Sequence, residues 1–255
     1  MISVRDLRVS YGGTVVAHVP GFDLATGQVL GIAGESGSGK SQTALALMGL
    51  TRYSGGTVTG SVKLDGVELS TLSSKQWRSV RGRKIAMIMQ SPRAALNPTI
   101  SLGTLFARTL KLHGVPRSER HARMEQALAE VMLDPQILTR YPHEVSGGQA
   151  QRFAIALVAA LRVDVLIADE PTSALDVTVQ SEVIDVLRNL RESHGTAIVF
   201  ISHDLAVISE LADRVMVMRG GEVVEQGLTE QILHEPAEQY TRDLVAAVPV
   251  IGRTR

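Results

Sequence analysis

The sequence of 255 residues has no cysteine, few aromatic residues, no excess of charge of either sign and no long apolar run. Without cysteine there is no disulfide, no thiolate zinc site and no cysteine-held iron–sulfur cluster in this chain. The 26 basic residues balance the 26 acidic ones and aromatic residues make up only 4%, which argues against a nucleic-acid groove. The apolar fraction of 44% is that of an ordinary globular protein with one large domain or two small ones.

Neither membrane crossing nor secretion is expected from this sequence. The longest apolar run, residues 153–161, ends at Arg162 and is far shorter than the ~20 residues that a membrane helix needs. Residues 1–8 carry charges before any apolar segment, which is not typical of a secretion signal. Any membrane role is therefore expected to depend on a partner protein.

Two kinds of strand are predicted. Segments that are β-branched and partly alternating, with glycine pairs as turns between them, indicate a small antiparallel sheet: residues 2–9, 15–24 and 57–64. Segments that are almost wholly apolar are typical of parallel strands buried on both faces: residues 29–33, 85–89, 165–168 and 197–201. Helical patterns lie between the apolar runs, as in the stripe at Val179, Val183, Val186, Leu187 and Leu190. The predicted fold class is therefore α/β.

A long insert between residues 89 and 165 is mainly helical. After Pro116 and Ser118, a plausible helix start, an apolar stripe is expected to be buried: Met124, Leu128, Val131 and Met132. We interpret residues from about 91 to 160 as a helical subdomain inserted in a single domain of residues 1–250. A hairpin is predicted from residues 214–218 and 222–226, and a flexible tail from residues 251–255.

Residues 34–41, Gly-Glu-Ser-Gly-Ser-Gly-Lys-Ser, lie between a predicted strand and a helical stretch over residues 42–50. This is the phosphate-loop pattern G-x-x-x-x-G-K-[ST] in its strand–loop–helix setting. Glycines let the backbone curl so that N–H groups and a helix N-terminus face a phosphate chain. Lys40 would add charge near the β and γ phosphates and Ser41 would bind Mg²⁺. The alternative is a glycine-rich turn that binds nothing, which the predicted strand before the loop and the helical stretch after it disfavour. The predicted nucleotide contacts here are Gly34, Ser36, Gly37, Ser38, Gly39, Lys40, Ser41 and Gln42.

Polar residues follow three of the apolar runs. Asp169 and Glu170 follow residues 165–168, and the carboxyl ends of parallel strands are where such sheets bind ligands. Asp169 is expected to hold Mg²⁺, directly or through water, and Glu170 to polarise the water that attacks the γ phosphate. Gln90 and His203 end two other runs; an amide can orient water or reach Mg²⁺, and an imidazole can donate to a phosphate oxygen. Each could instead be an ordinary strand-end residue or helix cap. The predicted catalytic residues are Glu170, His203 and Gln90, and the predicted metal ligands are Ser41, Gln90 and Asp169.

One further segment, Ser146-Gly147-Gly148-Gln149 before the helical run 150–161, completes a set of motifs. In order along the chain, the set is Tyr11, the phosphate loop, Gln90, this segment, Asp169-Glu170-Pro171-Thr172, Ser173-Ala174-Leu175-Asp176 and His203. With these motifs the chain resembles the ATP-binding subunit of an ABC transporter. The resemblance implies a P-loop NTPase core with a mainly parallel sheet, an N-terminal antiparallel β subdomain and a helical insert subdomain.

The same resemblance implies roles for residues outside the phosphate loop. Tyr11 is expected to stack on adenine, and Asp176 to communicate across a dimer of ATPase subunits. Ser146 and Gly148 are expected to bind the γ phosphate held by the opposing subunit, with Gly147 and Gln149 in the same nucleotide contact. A Ser-Gly-Gly helix start suits an anion. The alternative for this segment is a serine cap followed by flexible glycines.

A narrower resemblance is to the peptide and nickel importer branch, most of all to nickel-import ATP-binding subunits. The motifs that carry the resemblance to this branch are Gln90-Ser91-Pro92-Arg93, Leu96-Asn97-Pro98, Tyr141-Pro142-His143-Glu144 and residues 239–244, Gln-Tyr-Thr-Arg-Asp-Leu. The resemblance to the nickel-import subunits rests on residues 84–90 and 167–170. Two positions depart from the family pattern: Val145, where leucine is commoner, and Ala150, where longer polar residues are usual.

The resemblance implies a cytoplasmic ATPase that dimerises around two ATP molecules with Mg²⁺ and powers uptake of nickel, a metal chelate or short peptides. Its expected partners are a second ATPase subunit, which is either another copy of this chain or a paralogue, and transmembrane permease subunits that hold it at the inner face of the membrane. An extracytoplasmic substrate-binding protein is expected as an indirect partner. No nucleic-acid partner is expected. One alternative is an ABC ATPase acting on nucleic acid or ribosomes, but the chain has no duplicated cassette, long coiled coil or basic arm. Another is a regulatory module without catalysis, which the presence of Glu170 and His203 disfavours.

Overall fold

A computed structural model describes residues 1–173 and 175–247. The chain divides into two compact units, one of residues 1–77 with the described residues from 197 onward, and one of residues 78–196. The predicted tail, residues 251–255, lies outside the described residues. The predicted arrangement of a single domain with an insert over residues 91–160 stays a prediction.

The strands are β1 (Ile2–Tyr11), β2 (Thr14–Leu24), β3 (Val29–Ala33), β4 (Thr57–Leu64), β5 (Val67–Glu68), β6 (Ile85–Ile88), β7 (Val165–Asp169), β8 (Ala197–Ser202), β9 (Arg214–Arg219) and β10 (Glu222–Leu228). The α-helices are α1 (Lys40–Leu47), α2 (Ser74–Val80), α3 (Pro92–Ala95), α4 (Leu102–Leu112), α5 (Arg117–Glu130), α6 (Gly147–Leu161), α7 (Val177–His194), α8 (Leu205–Ser209), α9 (Thr229–His234) and α10 (Gln239–Ala246). Short 3-10 helices form at Thr51–Ser54, Pro135–Thr139 and Pro142–Glu144.

The first unit carries a mixed sheet in the order β5-β4-β1-β2-β10-β9-β3-β8. Strand β1 pairs with β2 and β4 in antiparallel fashion, which confirms the small antiparallel sheet expected from the alternating segments. Strand β3 pairs in parallel with both β8 and β9. The hairpin of β9 and β10 turns at Gly220 and Gly221, both with positive φ, as the sequence predicted.

Strand β3 is buried at every residue, and Gly31 lets a helix approach it closely. A Cβ at Gly31 would lie 2.2 Å from Cγ2 of Ile208 and 3.1 Å from Cβ of Ala212. Ile208 belongs to α8, which begins after Asp204, whose carboxylate accepts a hydrogen bond of 2.9 Å from the Ala206 N–H. The missing side chain at residue 31 therefore determines how near α8 can pack to β3.

The second unit contains the parallel pair β6 and β7, in which Ile88 lies opposite Ala168. Around this pair lie the helices α3 to α7, so the mainly helical character predicted for the insert is confirmed. Its core includes an edge-to-face contact between Phe106 and Phe153, whose ring centroids are 5.6 Å apart. Both rings are fully buried, which makes them a large part of the unit's apolar core.

The stripe predicted on α5 is right at Leu128 and Val131, which are buried, and wrong at Met132, which is 57% exposed. Helix α5 ends at Glu130, and Met132 adopts a left-handed conformation with φ of +54°. The N–H of Leu133 then donates to the Leu128 carbonyl at 2.9 Å, and Leu133 takes the buried place instead. A stripe at helical spacing cannot show where the helix itself stops.

The predicted strand 85–89 ends one residue early, and Met89 is 52% exposed.

Within residues 1–173 and 175–247, the structure has no helix with both the length and the apolarity that crossing a membrane requires.

Candidate functional site

The loop between β3 and α1 curls through three glycines with positive φ: Gly34 at +148°, Gly37 at +80° and Gly39 at +102°. A Cβ at Gly34 would lie 2.2 Å from the Met218 carbonyl oxygen and 2.7 Å from Oγ of Ser38. Any side chain at residue 34 would therefore overlap the backbone of β9. These glycines meet a requirement of the backbone itself.

The side chain of Lys40 folds back into this loop. It is buried, and its Nζ donates hydrogen bonds to the carbonyl oxygens of Gly34 at 2.7 Å and of Glu35 at 2.8 Å. Ser36, Gly37 and Ser41 are exposed, while Ser38 and Gly39 are buried and Gln42 is half-buried. The ammonium group thus lies inside the curl, where a phosphate chain would meet it.

Helix α1 begins at Lys40 with Gly39 as its cap, and no side chain in the described part of the chain caps this end. The dipole of the helix favours an anion at this end. Together with Lys40, this end of α1 has the donors that a triphosphate needs. The residues present fit the predicted nucleotide.

Tyr11, predicted to stack on adenine, ends strand β1 and is half-buried. Its hydroxyl donates to Oε1 of Gln42 at 2.9 Å and lies 2.8 Å from Oγ of Ser54. Gly56 leaves room for the ring, since a Cβ there would lie 2.7 Å from Tyr11 Cζ. The structure thus brings two of the predicted nucleotide contacts, Tyr11 and Gln42, together at the start of α1.

His203 follows β8 directly and is exposed. In the parallel pair of β3 and β8, Ala33 lies opposite Ser202, so both strands end at the same edge. The phosphate loop leaves β3 at this edge and His203 leaves β8 beside it. This is the placement that the strand-end argument predicted for His203.

In the second unit, Asp169 ends β7 and is buried, and Glu170 follows it. Glu170 has φ of +46°, a conformation that side chains with a Cβ rarely adopt and that costs roughly 1–3 kcal/mol. Nε2 of Gln90 donates to Oε2 of Glu170 at 2.9 Å. The parallel register of β6 and β7 brings these two predicted catalytic residues into contact, with the strained backbone at the carboxylate.

Ser146 forms a capping box at the start of α6. Its Oγ accepts from the Gln149 N–H at 3.2 Å, and its own N–H donates to Oε1 of Gln149 at 3.0 Å. Gly147 is exposed and has open space where a Cβ would be, whereas a Cβ at Gly148 would lie 2.6 Å from Cγ1 of Val179. The serine does cap the helix, and both glycines lie within the helix.

Asp176 caps helix α7 by accepting a hydrogen bond of 3.0 Å from the N–H of Val179. Val179 is also the residue that lies over Gly148. The starts of α6 and α7, each with predicted nucleotide contacts, therefore pack against each other within the second unit.

One contact to the phosphate loop was not predicted. The N–H of Glu35 donates to the hydroxyl of Tyr240, on α10, at 3.2 Å. In the sequence, residues 239–244 carry a motif of the family resemblance, which predicts no role for Tyr240. No periodicity connects residues 205 positions apart.

The described residues contain no group of three or more His, Asp and Glu side chains arranged to hold a metal ion. The predicted metal ligands Ser41, Gln90 and Asp169 are a hydroxyl, an amide and a carboxylate. Such oxygen donors suit Mg²⁺, which is usually bound by one or two carboxylates together with phosphates and water.

The curled glycine loop between a buried parallel strand and a helix, with a lysine inside it, defines a P-loop nucleotide-binding α/β protein. The model of the ABC transporter family matches residues 18–173, more than half of the chain. The chain therefore belongs to the ABC transporter family, as an ATP-binding domain. This is a family of ATP-hydrolysing proteins.

Among curated proteins, the glutathione import ATP-binding protein GsiA of Shigella dysenteriae serotype 1 (strain Sd197) is 46% identical over 240 residues, which cover 91% of this chain and 38% of the relative. GsiA of Escherichia coli (strain K12) is 45% identical with the same coverage. The chain thus spans about two fifths of the length of these curated relatives.

Two solved structures agree with the fold. The dimeric structure of MJ0796, a bacterial ABC transporter cassette, has a TM-score of 0.78 at 25% identity and covers 90% of this chain and 99% of its own. CbiO1 from Clostridium perfringens, part of the ABC transporter complex cbiONQ, has a TM-score of 0.79 at 26% identity and covers 92% and 90%. The α/β ABC ATPase fold predicted from the sequence is confirmed.

Proposed function

We propose that this chain binds ATP with Mg²⁺ and hydrolyses it to power an ABC importer. The observation that carries the proposal is the phosphate loop, in which three glycines with positive φ curl the backbone around the buried Lys40. Lys40 exchanges the carbonyl oxygens of Gly34 and Glu35 for the β and γ phosphates. The loop N–H groups and the start of α1 bind the remaining phosphate oxygens.

The other predicted residues complete the binding step. Tyr11 stacks on the adenine, with its ring already fixed by Gln42 and Ser54. The metal ligands we propose are Ser41, Gln90 and Asp169. Mg²⁺, when bound, neutralises charge on the phosphates.

Hydrolysis requires a base and a donor. Glu170 accepts the proton of the attacking water, and the Gln90 amide, which donates to its carboxylate, fixes the direction of that carboxylate. His203 donates to a γ-phosphate oxygen as charge develops there. All three residues, Gln90, Glu170 and His203, are ones that the sequence pattern predicted at the ends of strands.

A second ATPase subunit supplies the rest of the contacts. Its Ser146, Gly147, Gly148 and Gln149 contact the γ phosphate, and its Asp176 lies beside them at the start of α7. Loss of the γ phosphate weakens this clamp and lets the subunits separate. The dimeric MJ0796 cassette supports a dimer for this chain.

Transmembrane permease subunits are the proposed partners that hold the chain at the cytoplasmic face of the membrane. An extracytoplasmic binding protein delivers the cargo to them. Among nickel, metal chelates and short peptides, relatives named for glutathione import favour short peptides. Action on nucleic acid or ribosomes is not favoured, because these relatives are named importers.

The test is Lys40→Ala, with Lys75→Ala, an exposed lysine of α2, as the matched control. We expect the Lys40 variant to lose tight ATP binding in calorimetric titrations with MgCl₂, and the Lys75 variant to bind as the wild type does. Micromolar affinity for ATP in a folded Lys40→Ala protein would contradict the proposal. Uptake of short peptides, nickel and chelated nickel is then compared between cells with and without the protein. The compound whose uptake is lost without the protein is the cargo.

A further inference from the structure

The peptide group that joins Gly34 to Glu35 is held from two sides. Its carbonyl oxygen, that of Gly34, accepts from Lys40 Nζ at 2.7 Å, and its N–H, that of Glu35, donates to the Tyr240 hydroxyl at 3.2 Å. Glu35 comes directly after Gly34, where the loop begins to curl. A single hydroxyl from α10 thus fixes the orientation of the peptide on which Lys40 rests.

Tyr240 is itself well fixed. Its side chain is only 9% exposed, and the guanidinium of Arg219, the last residue of β9, lies 4.8 Å from the ring centroid. A cation at this distance over an aromatic ring is attracted to the ring face. The hydroxyl is therefore held at one position against the loop.

The chain leading into α10 is anchored too. The carboxylate of Glu225 on β10 accepts from the N–H groups of Ala237 and Glu238, at 2.8 and 3.1 Å. Arg242 Nη1 donates to the carbonyl oxygens of Pro236 and Ala237, both at 2.9 Å. These bonds fix the start of α10 on the sheet that also carries the phosphate loop.

We propose that Tyr240 is a positioning residue for nucleotide binding, acting through the Gly34–Glu35 peptide. When a triphosphate draws Lys40 away from the Gly34 carbonyl, the hydrogen bond from the Glu35 N–H to Tyr240 keeps that peptide from rotating and so keeps the loop curled. Binding then requires little reorganisation of the loop. The proposal rests on the proposed function, since it assumes that the phosphate loop binds ATP.

The test is Tyr240→Phe, which keeps the ring over Arg219 and removes only the hydroxyl. Because one hydrogen bond is lost, we expect the Kd for ATP and the KM of hydrolysis to rise together, by about three- to tenfold. We expect kcat at saturating ATP to stay as in the wild type, and the Tm to fall by no more than about 2–4 °C, the cost of one hydrogen bond in a chain of this size. Tyr53→Phe is the control, since Tyr53 lies in the same unit and is 62% exposed.

Tyr240→Leu is a second variant that also removes the ring. It is expected to raise the Kd by the same factor but to lower the Tm further. The proposal would be overturned by an unchanged Kd in Tyr240→Phe or by a fall in kcat at constant KM. A Kd that rises further in Tyr240→Leu, in step with its larger loss of Tm, would also overturn it. If Lys40→Ala abolishes ATP binding and Tyr240→Phe does not weaken it, the positioning role fails and the proposed function stands. If Lys40→Ala still binds ATP tightly, the proposed function itself fails.

Discussion

The glycines of the phosphate loop and the glycine after Ser146 differ in what the fold requires of them. Gly34 and Gly39 have positive φ, and a Cβ at either would lie within 3.0 Å of a backbone carbonyl oxygen. Gly147 lies in the first turn of α6 and has no atom within 4 Å of where a Cβ would be. The chain's own structure explains the loop glycines. Nothing within the described residues requires glycine at 147, which is consistent with the proposal that a second subunit contacts the start of α6.

The largest expected effect comes from Glu170→Gln, because Glu170 should behave as a residue needed for chemistry and not for folding. We expect turnover to fall roughly 10²- to 10⁴-fold, while ATP binding and Tm are retained. Steady-state ATP hydrolysis and calorimetric titration of the same preparation measure both. Glu192→Gln, at an exposed position on α7, is the control. Undiminished hydrolysis in the Glu170 variant would remove the role assigned to this carboxylate.

Gly34→Ala should show the cost of breaking a backbone requirement. Because the added Cβ overlaps the Met218 carbonyl oxygen at a positive φ, we expect unfolding free energy to fall by about 3 kcal/mol or more. Gly37 also has a positive φ but has open space where a Cβ would be. Gly37→Ala should therefore lower the unfolding free energy by only about 1–2 kcal/mol. Urea denaturation curves for the two variants give the difference. Equal losses would mean that strain in φ, and not the overlap with β9, governs this loop.

Gly147→Ala should move stability and activity in opposite directions. Alanine in a helix is favoured over glycine by about 0.5–1 kcal/mol, so this variant should be slightly more stable than the wild type. ATP hydrolysis should fall, because the methyl group projects from an exposed face where the second subunit is proposed to approach. Denaturation and ATPase measurements test the two halves separately. Full activity in the alanine variant would leave the glycine at 147 unexplained.

The smallest effects concern how acid acts on each unit. In the first unit, burial raises the pKa of Glu68, but hydrogen bonds from Ser61, Ser70 and the Val62 N–H outweigh it and lower the pKa to about 2. In the second, burial and the nearby Arg83 lower the pKa of His113 from its usual 6.5. Both groups bind protons more readily when unfolded, so each stabilises the fold less as the pH falls.

The windows differ: the His113 contribution starts to be lost below pH 6.5, and that of Glu68 is lost between pH 4.5 and about 2. His113→Gln should therefore flatten the fall in Tm between pH 7 and 5, and Glu68→Gln should flatten it only below pH 4.5. Thermal unfolding of the wild type and both variants over this range measures the slopes. A wild-type slope that persists in His113→Gln between pH 7 and 5 would contradict the first assignment.

Much of the fold was open to prediction because strong local signals agreed. Strand β3 has the predicted bounds, since every residue of Val29–Ala33 is apolar or glycine and a phosphate loop follows directly. The antiparallel strands and the β9–β10 hairpin were marked by glycine turns. Met132 was misplaced because the end of α5 is decided by a left-handed turn and by burial of Leu133, which the spacing of apolar residues does not encode.

The site divides in the same way. Gln90 and Glu170 could be placed together because each follows a strand of one parallel pair, and the structure has them in hydrogen-bond contact. The hydroxyl of Tyr240 at Glu35 could not be foreseen, because it depends on where α10 returns to the sheet. The strained φ of Glu170 was equally invisible, since glutamate has no sequence signal for a left-handed backbone.

The close approach of α8 to β3 at Gly31 has a consequence for His203, which sits at the entrance to that helix. Any residue larger than glycine at 31 would overlap Ile208 and so displace α8, which starts two residues after His203. The placement of a residue proposed for catalysis thus depends on the absence of one methyl group beneath the helix that follows it. A position without a functional group can in this way affect the proposed reaction.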